Sequence, residues 1–335
     1  MSLIERHWYR PRLGLTVLLA PLQALFAILA AMRRMAFARG WMAQGRLPVP
    51  VVVIGNIHVG GVGKTPLTIA LLDALRDRGV QAGVISRGYG GRHRLPTAVK
   101  PDSDAAEVGD EPLLLAATGA PVFVGRDRVA AGRALLATHP QVSLILTDDG
   151  LQHYRLARDL EVVVVDGARG FGTARLLPNG PLREPVSRLA QVDAVVVNGE
   201  QDVPLPIPDD VARFAMTIAP GEIQALAEPA VRRRPADFAG LNVAALAGIG
   251  HPERFFATLR ALDIPLARTL AFPDHHAFSE ADLPRDVDAI IMTGKDAVKM
   301  RHLNHDKLWV LPIRAQIVPD LADWILARLK ASNGR

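Results

Sequence analysis

The sequence predicts an α/β fold: a doubly wound, mostly parallel sheet of the P-loop NTPase-like kind, a second, smaller α/β domain, and an N-terminal membrane-associated helix. Three observations lead there. A β-branched run, Val51-Val52-Val53-Ile54, feeds a glycine-rich turn and then a helical stretch. Short apolar runs go on alternating with helical stretches, as in parallel sheets with crossover helices. Leu13 to Met32 carries no charge and is flanked by arginines. At 335 residues the chain suits two domains, each with its own core. With 49% hydrophobic and 22% charged residues, a disordered chain is excluded. The absence of cysteine excludes disulfides, thiolate nucleophiles and cysteine-ligated zinc, in keeping with a reducing compartment.

The apolar segment has about the length of a membrane span. Pro21 and Gln23 interrupt its middle, and the arginines do not favour one side. The expected form is therefore an amphipathic helix pair or bent helix lying in the lipid interface, with arginine heads at the phosphates. The alternatives are a true span, a buried core helix, and a signal peptide weakly imitated by Ala30-Ala31. A net charge of +5, with clusters such as Arg232-Arg233-Arg234, suits a polyanion. Only three tyrosines occur and no stretch interleaves basic and aromatic residues, so a membrane or a phosphorylated ligand is expected and nucleic acid is not.

After the β-branched run comes His58-Val59-Gly60-Gly61-Val62-Gly63-Lys64-Thr65, then a helix expected over Pro66–Arg78. Strand, glycine loop and helix in this order make a P-loop: backbone N–H groups turn onto phosphate, Lys64 reaches the β and γ oxygens, and the Thr65 hydroxyl holds Mg²⁺. His58 stands where the usual pattern has its first glycine. A second apolar run, Val142 to Thr147, delivers Asp148 and Asp149 to the carboxyl edge of the sheet, where a metal-organising acid belongs. Strand alternation turns one acid toward the metal and the other toward a neighbour, and either assignment is open. An ordinary Asp-Gly turn is the competing explanation.

Further strands are expected at Ala82–Ser86, Pro121–Gly125, Leu160–Asp166 and Asp193–Asn198. A second series follows at Asn242–Ala247, Ala267–Phe272, Asp288–Thr293 and Leu308–Pro312, closing with a helix from about Asp320 to Lys330. The expected division is an N-terminal helical segment over 1–40, a P-loop kinase domain over 41–238 and a smaller domain over 239–335.

These motifs, with Arg87-Gly88-Tyr89-Gly90, Gly109-Asp110-Glu111-Pro112, Asp148-Asp149-Gly150-Leu151-Gln152-His153, Leu177 to Pro185, Gly248-Ile249-Gly250, Phe272 to Phe278 and Lys295-Asp296-Ala297-Val298-Lys299, resemble the tetraacyldisaccharide 4'-kinase (lipid A 4'-kinase) family nearly end to end. The resemblance implies ATP and Mg²⁺ as cofactors. It also implies transfer of the γ-phosphate to the 4'-hydroxyl of an acylated glucosamine disaccharide 1-phosphate on the cytoplasmic face of a Gram-negative inner membrane. The bilayer is then a partner, and no obligatory protein partner is inferred.

The resemblance carries the role of general base to Asp110, with His275 of the Asp-His-His stretch as its partner; such a pair makes chemical sense because an imidazole can orient a carboxylate. Helix capping before Pro112 is the bland account of Asp110, and a turn before a helix near Ser279 that of His275 and His276. A two-histidine zinc site lacks further ligands at a recognisable spacing. Arg87, Arg126, Arg128 and Arg183 are candidates for phosphate groups, as guanidinium grips phosphate with paired donors. His153 is counted with the substrate residues, and Glu184 completes the metal set of Thr65, Asp148 and Asp149, from its place in the resembling motif. Asp110 and His275 fall in different expected domains, so a cleft that closes on them is expected. The reading of a different class is a membrane-bound P-loop ATPase switch acting on a protein partner. A third reading, a kinase or synthetase for a soluble small molecule, leaves Leu13–Met32 without a purpose; deleting residues 13–32 tests it, with turnover on a bilayer substrate expected to collapse and turnover on a soluble analogue to survive, as vesicle and micelle assays would measure.

Overall fold

The computed structural model of the chain describes residues 3–303 and 305–333. The chain opens with α1 (Leu3–Tyr9) and α2 (Leu13–Ala38), parted at Arg10-Pro11-Arg12. Next comes the larger sheet: β1 (Val51–Gly55), β2 (Ala82–Ser86), β3 (Thr97–Val99), β4 (Val122–Val124), β5 (Leu144–Thr147), β6 (Leu160–Asp166), β7 (Ala194–Asn198) and β8 (Ala212–Pro220). Its helices are α3 (Lys64–Asp77), α4 (Ala105–Val108), α5 (Asp110–Ala116) and α6 (Arg128–Thr138). The smaller sheet holds β9 (Ile223–Ala225), β10 (Arg232–Arg233), β11 (Val243–Ala247), β12 (Leu266–Ala271), β13 (Ala289–Thr293) and β14 (Leu308–Leu311), with α7 (Pro252–Ala261) and α8 (Gly294–Met300). The chain then returns to the larger sheet through β15 (Ile313–Val318) and ends in α9 (Leu321–Asn333).

The larger sheet runs β15-β8-β7-β6-β1-β5-β2-β4-β3, parallel except at its two antiparallel edges, β3 with β4 and β15 with β8. Central strands read as continuous apolar runs because both faces are covered. Val52 and Ile54 enter the core under α3, α5 and α9, and Val51 and Val53 the core under α6. The smaller sheet runs β10-β9-β14-β13-β11-β12, with its own layers around Phe238 and Phe256 on one face and Phe278 and Met300 on the other.

Every strand anticipated from the sequence forms, with ends displaced by at most one or two residues. The domain division differs. The sheets part before β9 rather than near Phe238, and β15 and α9 rejoin the larger domain instead of closing the smaller one. β15 pairs with β8 from Ile313↔Pro220 to Val318↔Ala215, and Leu321, Ala322, Ile325 and Leu329 fill the core beside α3. The smaller domain is thus an insertion whose two connections lie side by side, where the Gly221 N–H donates to Pro312 O at 2.8 Å. The helix expected near Ser279 is a single 3-10 turn, Glu280–Asp282, closed by the Asp282 carboxylate on Ser279 N and stopped by Pro284.

α2 corrects another expectation. It is one helix running through Pro21, not a helix pair, and most of its large apolar side chains face outward: Leu13, Val17, Leu18, Leu22, Leu25, Ile28, Leu29 and Met32 are exposed, while Leu19 and Phe37 are buried. Only 6% of its most apolar window is buried, which excludes a core helix; by length and composition it could cross a membrane. Its start is tied to the 175–179 loop, where Arg175 donates to Thr16 Oγ1 at 2.9 Å and Asn179 Nδ2 to Thr16 O at 3.1 Å. Its end packs through Phe37 on Tyr154, with ring centroids 6.0 Å apart.

Ile325 tests where the last helix belongs. Truncation to alanine is expected to cost about 2–4 kcal/mol, seen as a lower urea midpoint, with loss of amide protection in α3 rather than in α7. Protection lost in the smaller domain alone would contradict the assignment.

Candidate active site

β1 and β5 lie side by side and parallel, with Val53 opposite Thr147, so the loops after both open at one edge. The loop after β1 winds over Gly60 and Gly63, at φ +104° and +94°, and α3 begins at Lys64. A side chain at Gly63 has no room, because its Cβ would lie 2.7 Å from Asn198 Nδ2 and 2.9 Å from Met216 Cε. Asn198 donates to Val62 O at 2.9 Å, and Arg169, paired with Asp166 at 2.8 Å, donates to Gly61 O. His58 is buried and bridges antiparallel to Leu182, with Val59 N donating to Pro181 O at 2.8 Å. Burial lowers its proton affinity, and its Nδ1 lies 3.0 Å from Val59 O, while the backbone contacts join the loop to the 181–184 segment. That segment replaces what a first glycine would have left open.

The two acids after β5 have opposite surroundings. Asp148 is 1% exposed and neither carboxylate oxygen has a hydrogen-bond partner. Burial, reinforced by Glu111, pushes it up to about 7 against the pull of Lys64. Asp149 sits at φ +49°, 3.1 Å from Arg183 Nη1 and 3.4 Å from Lys64 Nζ. Burial pushes its carboxyl up, but Lys64, Arg183 and Arg128 outweigh it and hold the group below the usual carboxylate range. Arg128 lies buried under this turn, donating from Nη2 to Asp149 O at 2.8 Å; burial lowers its guanidinium to about 10. It braces the left-handed turn and faces no open phosphate site.

Asp110 begins α5 after Gly109, which sits at φ +89° and where a Cβ would lie 2.6 Å from Tyr89 O. One carboxylate oxygen accepts the Glu111 N–H at 2.9 Å, with Gly109 rather than Asp110 at the cap position, and the other lies 2.9 Å from His275 Nδ1 across the interdomain cleft. Lys295 Nζ stands 3.6 Å from the same oxygen and 2.9 Å from Asp274 Oδ1. His275 takes φ +62°, while His276 stacks on Phe272 at 4.7 Å and meets Asp282 at 3.4 Å. The two histidines thus separate into one facing the acid and one packed in an aromatic wall. A cavity of 540 Å³ opens beside the pair, lined by Tyr89, Asp104, Asp110, His275, Lys299 and His302 among others.

Three expectations change. Glu184 is 2% exposed; its two carboxylate oxygens accept from Gln152 Nε2 and the Tyr154 hydroxyl, both at 2.9 Å, and Arg188 pairs with it, so it braces the Arg183 loop. His153 is half-buried, and burial with Arg128 and Arg158 lowers it to about 4; its Nε2 is enclosed without a partner, turned away from any open ligand. Arg183 faces Asp149 instead of an open phosphate site. Arg87 and Arg126 remain exposed just past β2 and β4, at the same edge of the sheet. Among the described residues no group of three or more acids and histidines forms a metal cage. Sequence reasoning missed Lys295, Arg169 and Asn198. Lys295 lies in a recognised motif, whereas nothing in the spacing of Arg169 or Asn198 announces contact with the P-loop.

The chain is similar to known proteins along nearly its whole length. A family model described as LpxK, tetraacyldisaccharide-1-P 4'-kinase, matches residues 15–330. The tetraacyldisaccharide 4'-kinase of Chromobacterium violaceum is 67% identical over 340 residues, covering 100% of both chains. That of Neisseria meningitidis serogroup C is 49% identical, covering 98% of this chain and 96% of its own. A crystal structure of LpxK from Aquifex aeolicus in complex with ATP superposes with a TM-score of 0.82 at 26% identity, covering 94% of this chain and 99% of that one. Matched from the apolar helix to the last helix, the chain belongs to the tetraacyldisaccharide 4'-kinase family.

Proposed function

We propose that this kinase transfers the γ-phosphate of ATP to the 4'-hydroxyl of tetraacyldisaccharide 1-phosphate, with Asp110 as the base. The observation that carries the reading is the Asp110–His275 hydrogen bond of 2.9 Å at the edge where the P-loop opens: Glu111, the next residue, is near enough to raise the proton affinity of Asp148. Phosphoryl transfer needs positioning, charge neutralisation and a proton acceptor more than covalent chemistry. The loop from His58 to Thr65 would cradle the phosphates on its N–H groups, with Lys64 moving between Asp149 and the γ-phosphate. Asp110 would accept the proton of the attacking hydroxyl while His275 orients its carboxylate. Arg87 and Arg126, exposed at the same edge, suit the nucleotide or the acceptor's phosphate.

A magnesium ion fits the residues present. Asp148 is a buried carboxylate with both oxygens unpartnered, next to the loop that bears Thr65, and Mg²⁺ commonly takes one or two protein ligands plus phosphates and water. Thr65 and Asp148 would hold it, leaving Asp149 to Lys64 and Arg183. When bound, the ion neutralises charge on the transferring phosphoryl group.

The exposed apolar α2 favours attachment to a bilayer, at the cytoplasmic face of the inner membrane, where an acylated acceptor resides. We divide the chain functionally into this helix, the P-loop domain with β15 and α9, and the inserted domain that brings His275. Family membership favours transfer to a lipid sugar over a nucleotide switch driving a protein partner.

With labelled ATP and tetraacyldisaccharide 1-phosphate in micelles, label is expected in the lipid, and Lys64→Ala is expected to abolish it. Label appearing only as free phosphate would support the switch instead. Asp110→Asn, which keeps shape and removes the base, is expected to lower kcat by at least about a hundredfold. Protons compete with the cation for Asp148, whose carboxyl sits at about 7. Apparent Mg²⁺ affinity is therefore expected to tighten as pH rises from about 6 to about 8 and then level off. An affinity that does not change with pH would remove Asp148 from the metal site.

A further inference from the structure

The side chain joining the two halves of the candidate catalytic pair is Lys295. Its backbone is fixed at the start of α8: Asp296, fully buried, accepts from Gly248 N at 3.0 Å and from the Thr293 hydroxyl at 2.6 Å. From there the ammonium reaches 2.9 Å from Asp274 Oδ1 and 3.6 Å from Asp110 Oδ2, with the side chain 18% exposed. Asp274 also accepts the His275 N–H at 3.1 Å, in the turn where His275 holds φ +62°. A non-glycine residue in that region persists only when its surroundings over-determine it. Burial alone would lower the proton affinity of Lys295, but Asp110, Glu111 and Asp274 outweigh it and raise it, so the group stays an ammonium.

The charges explain why a cation is needed there. Asp110 is 4% exposed, and among the described residues Lys295 is the sole lysine or arginine within ion-pair distance of it. Without it, Asp110 and Asp274 would face each other and the incoming phosphate with no balancing charge, and a buried carboxylate left so is strongly disfavoured. An ammonium that served only to hold α8 would need one carboxylate. This one bridges two, on opposite sides of the cleft.

We propose that Lys295 is a positioning residue for phosphoryl transfer: it ties the His275 turn to Asp110 across the domains and supplies the charge that balances the Asp110 carboxylate. The proposal rests on the reading of Asp110 and His275 given above. Its role is in the closed arrangement, so it acts on turnover and not on nucleotide capture by the P-loop.

The test is steady-state transfer from ATP to tetraacyldisaccharide 1-phosphate in micelles by the full chain, with thermal melting of each variant. Lys295→Met is expected to lower kcat about 10- to 100-fold while KM for ATP stays within about twofold, since misplacing a catalytic group by about an ångström costs on that scale. Lys295→Arg is expected to restore most of kcat, because a guanidinium spans the same two carboxylates. Asp274→Asn leaves the lysine in place and is expected to lower kcat severalfold, which keeps the idea testable should the methionine variant fold poorly. A Lys295→Met enzyme with kcat within twofold of the parent overturns the proposal. So does a loss that matches the fall in melting temperature and is not rescued by arginine, which assigns Lys295 a structural role only. Asp110→Asn separates the layers: if it turns over normally the underlying reading fails, and if it is inactive while Lys295→Met is not, only the lysine's role fails.

Discussion

The parallel pairing of β1 with β5 is the constraint on which the site depends. Val51, Val52 and Val53 lie opposite Ile145, Leu146 and Thr147 in the middle of a sheet covered on both faces. No alternative register is available without exposing apolar residues or burying polar ones. The pairing brings the glycine loop and the acidic turn to one edge, and Gly150 N donating to Ile54 O at 3.0 Å carries the alignment past the strand ends. Everything chemical in the larger domain hangs from that edge.

Charge is then sorted by burial. Two adjacent aspartates leave the same strand, yet one is paired to Lys64 and Arg183 and the other is enclosed without a partner. An unpaired buried carboxylate is costly in a protein that has nothing to place beside it, and the cost falls when a cation arrives. Glu184 shows the opposite solution, a buried acid whose two oxygens accept from Gln152 and Tyr154 and which pairs with Arg188 beside the loop bearing Arg183.

The inserted domain is joined to the larger one at more than its connections. These lie side by side at Gly221 and Pro312, joined by a backbone hydrogen bond, while Val298 of α8 enters the larger domain's core and Arg301 donates to Pro101 O at 3.0 Å. On the far side, Asp110 meets His275 and Lys295, and near the P-loop Arg169 lies 3.4 Å from His251. The outward-facing α2 is anchored to the 175–179 loop and to Tyr154, beside the segments that carry Arg183 and Gln152, so a membrane at that helix lies alongside the nucleotide edge.

The sequence by itself determined most strands of both series, the P-loop and the acidic turn. Each is a local pattern: a β-branched run needs two covered faces, and Gly63 needs a left-handed turn with no side chain. It did not determine that β15 and α9 return to the larger sheet, because β15 at the edge and β8 beside it are part-exposed, alternating strands whose pairing is a long-range choice. Nor did it separate Asp148 from Asp149, His275 from His276, or Glu184 the brace from Glu184 the ligand. Those distinctions depend on which side chains from distant parts of the chain arrive beside each group, and burial and hydrogen bonding exist only once the tertiary structure has brought them together.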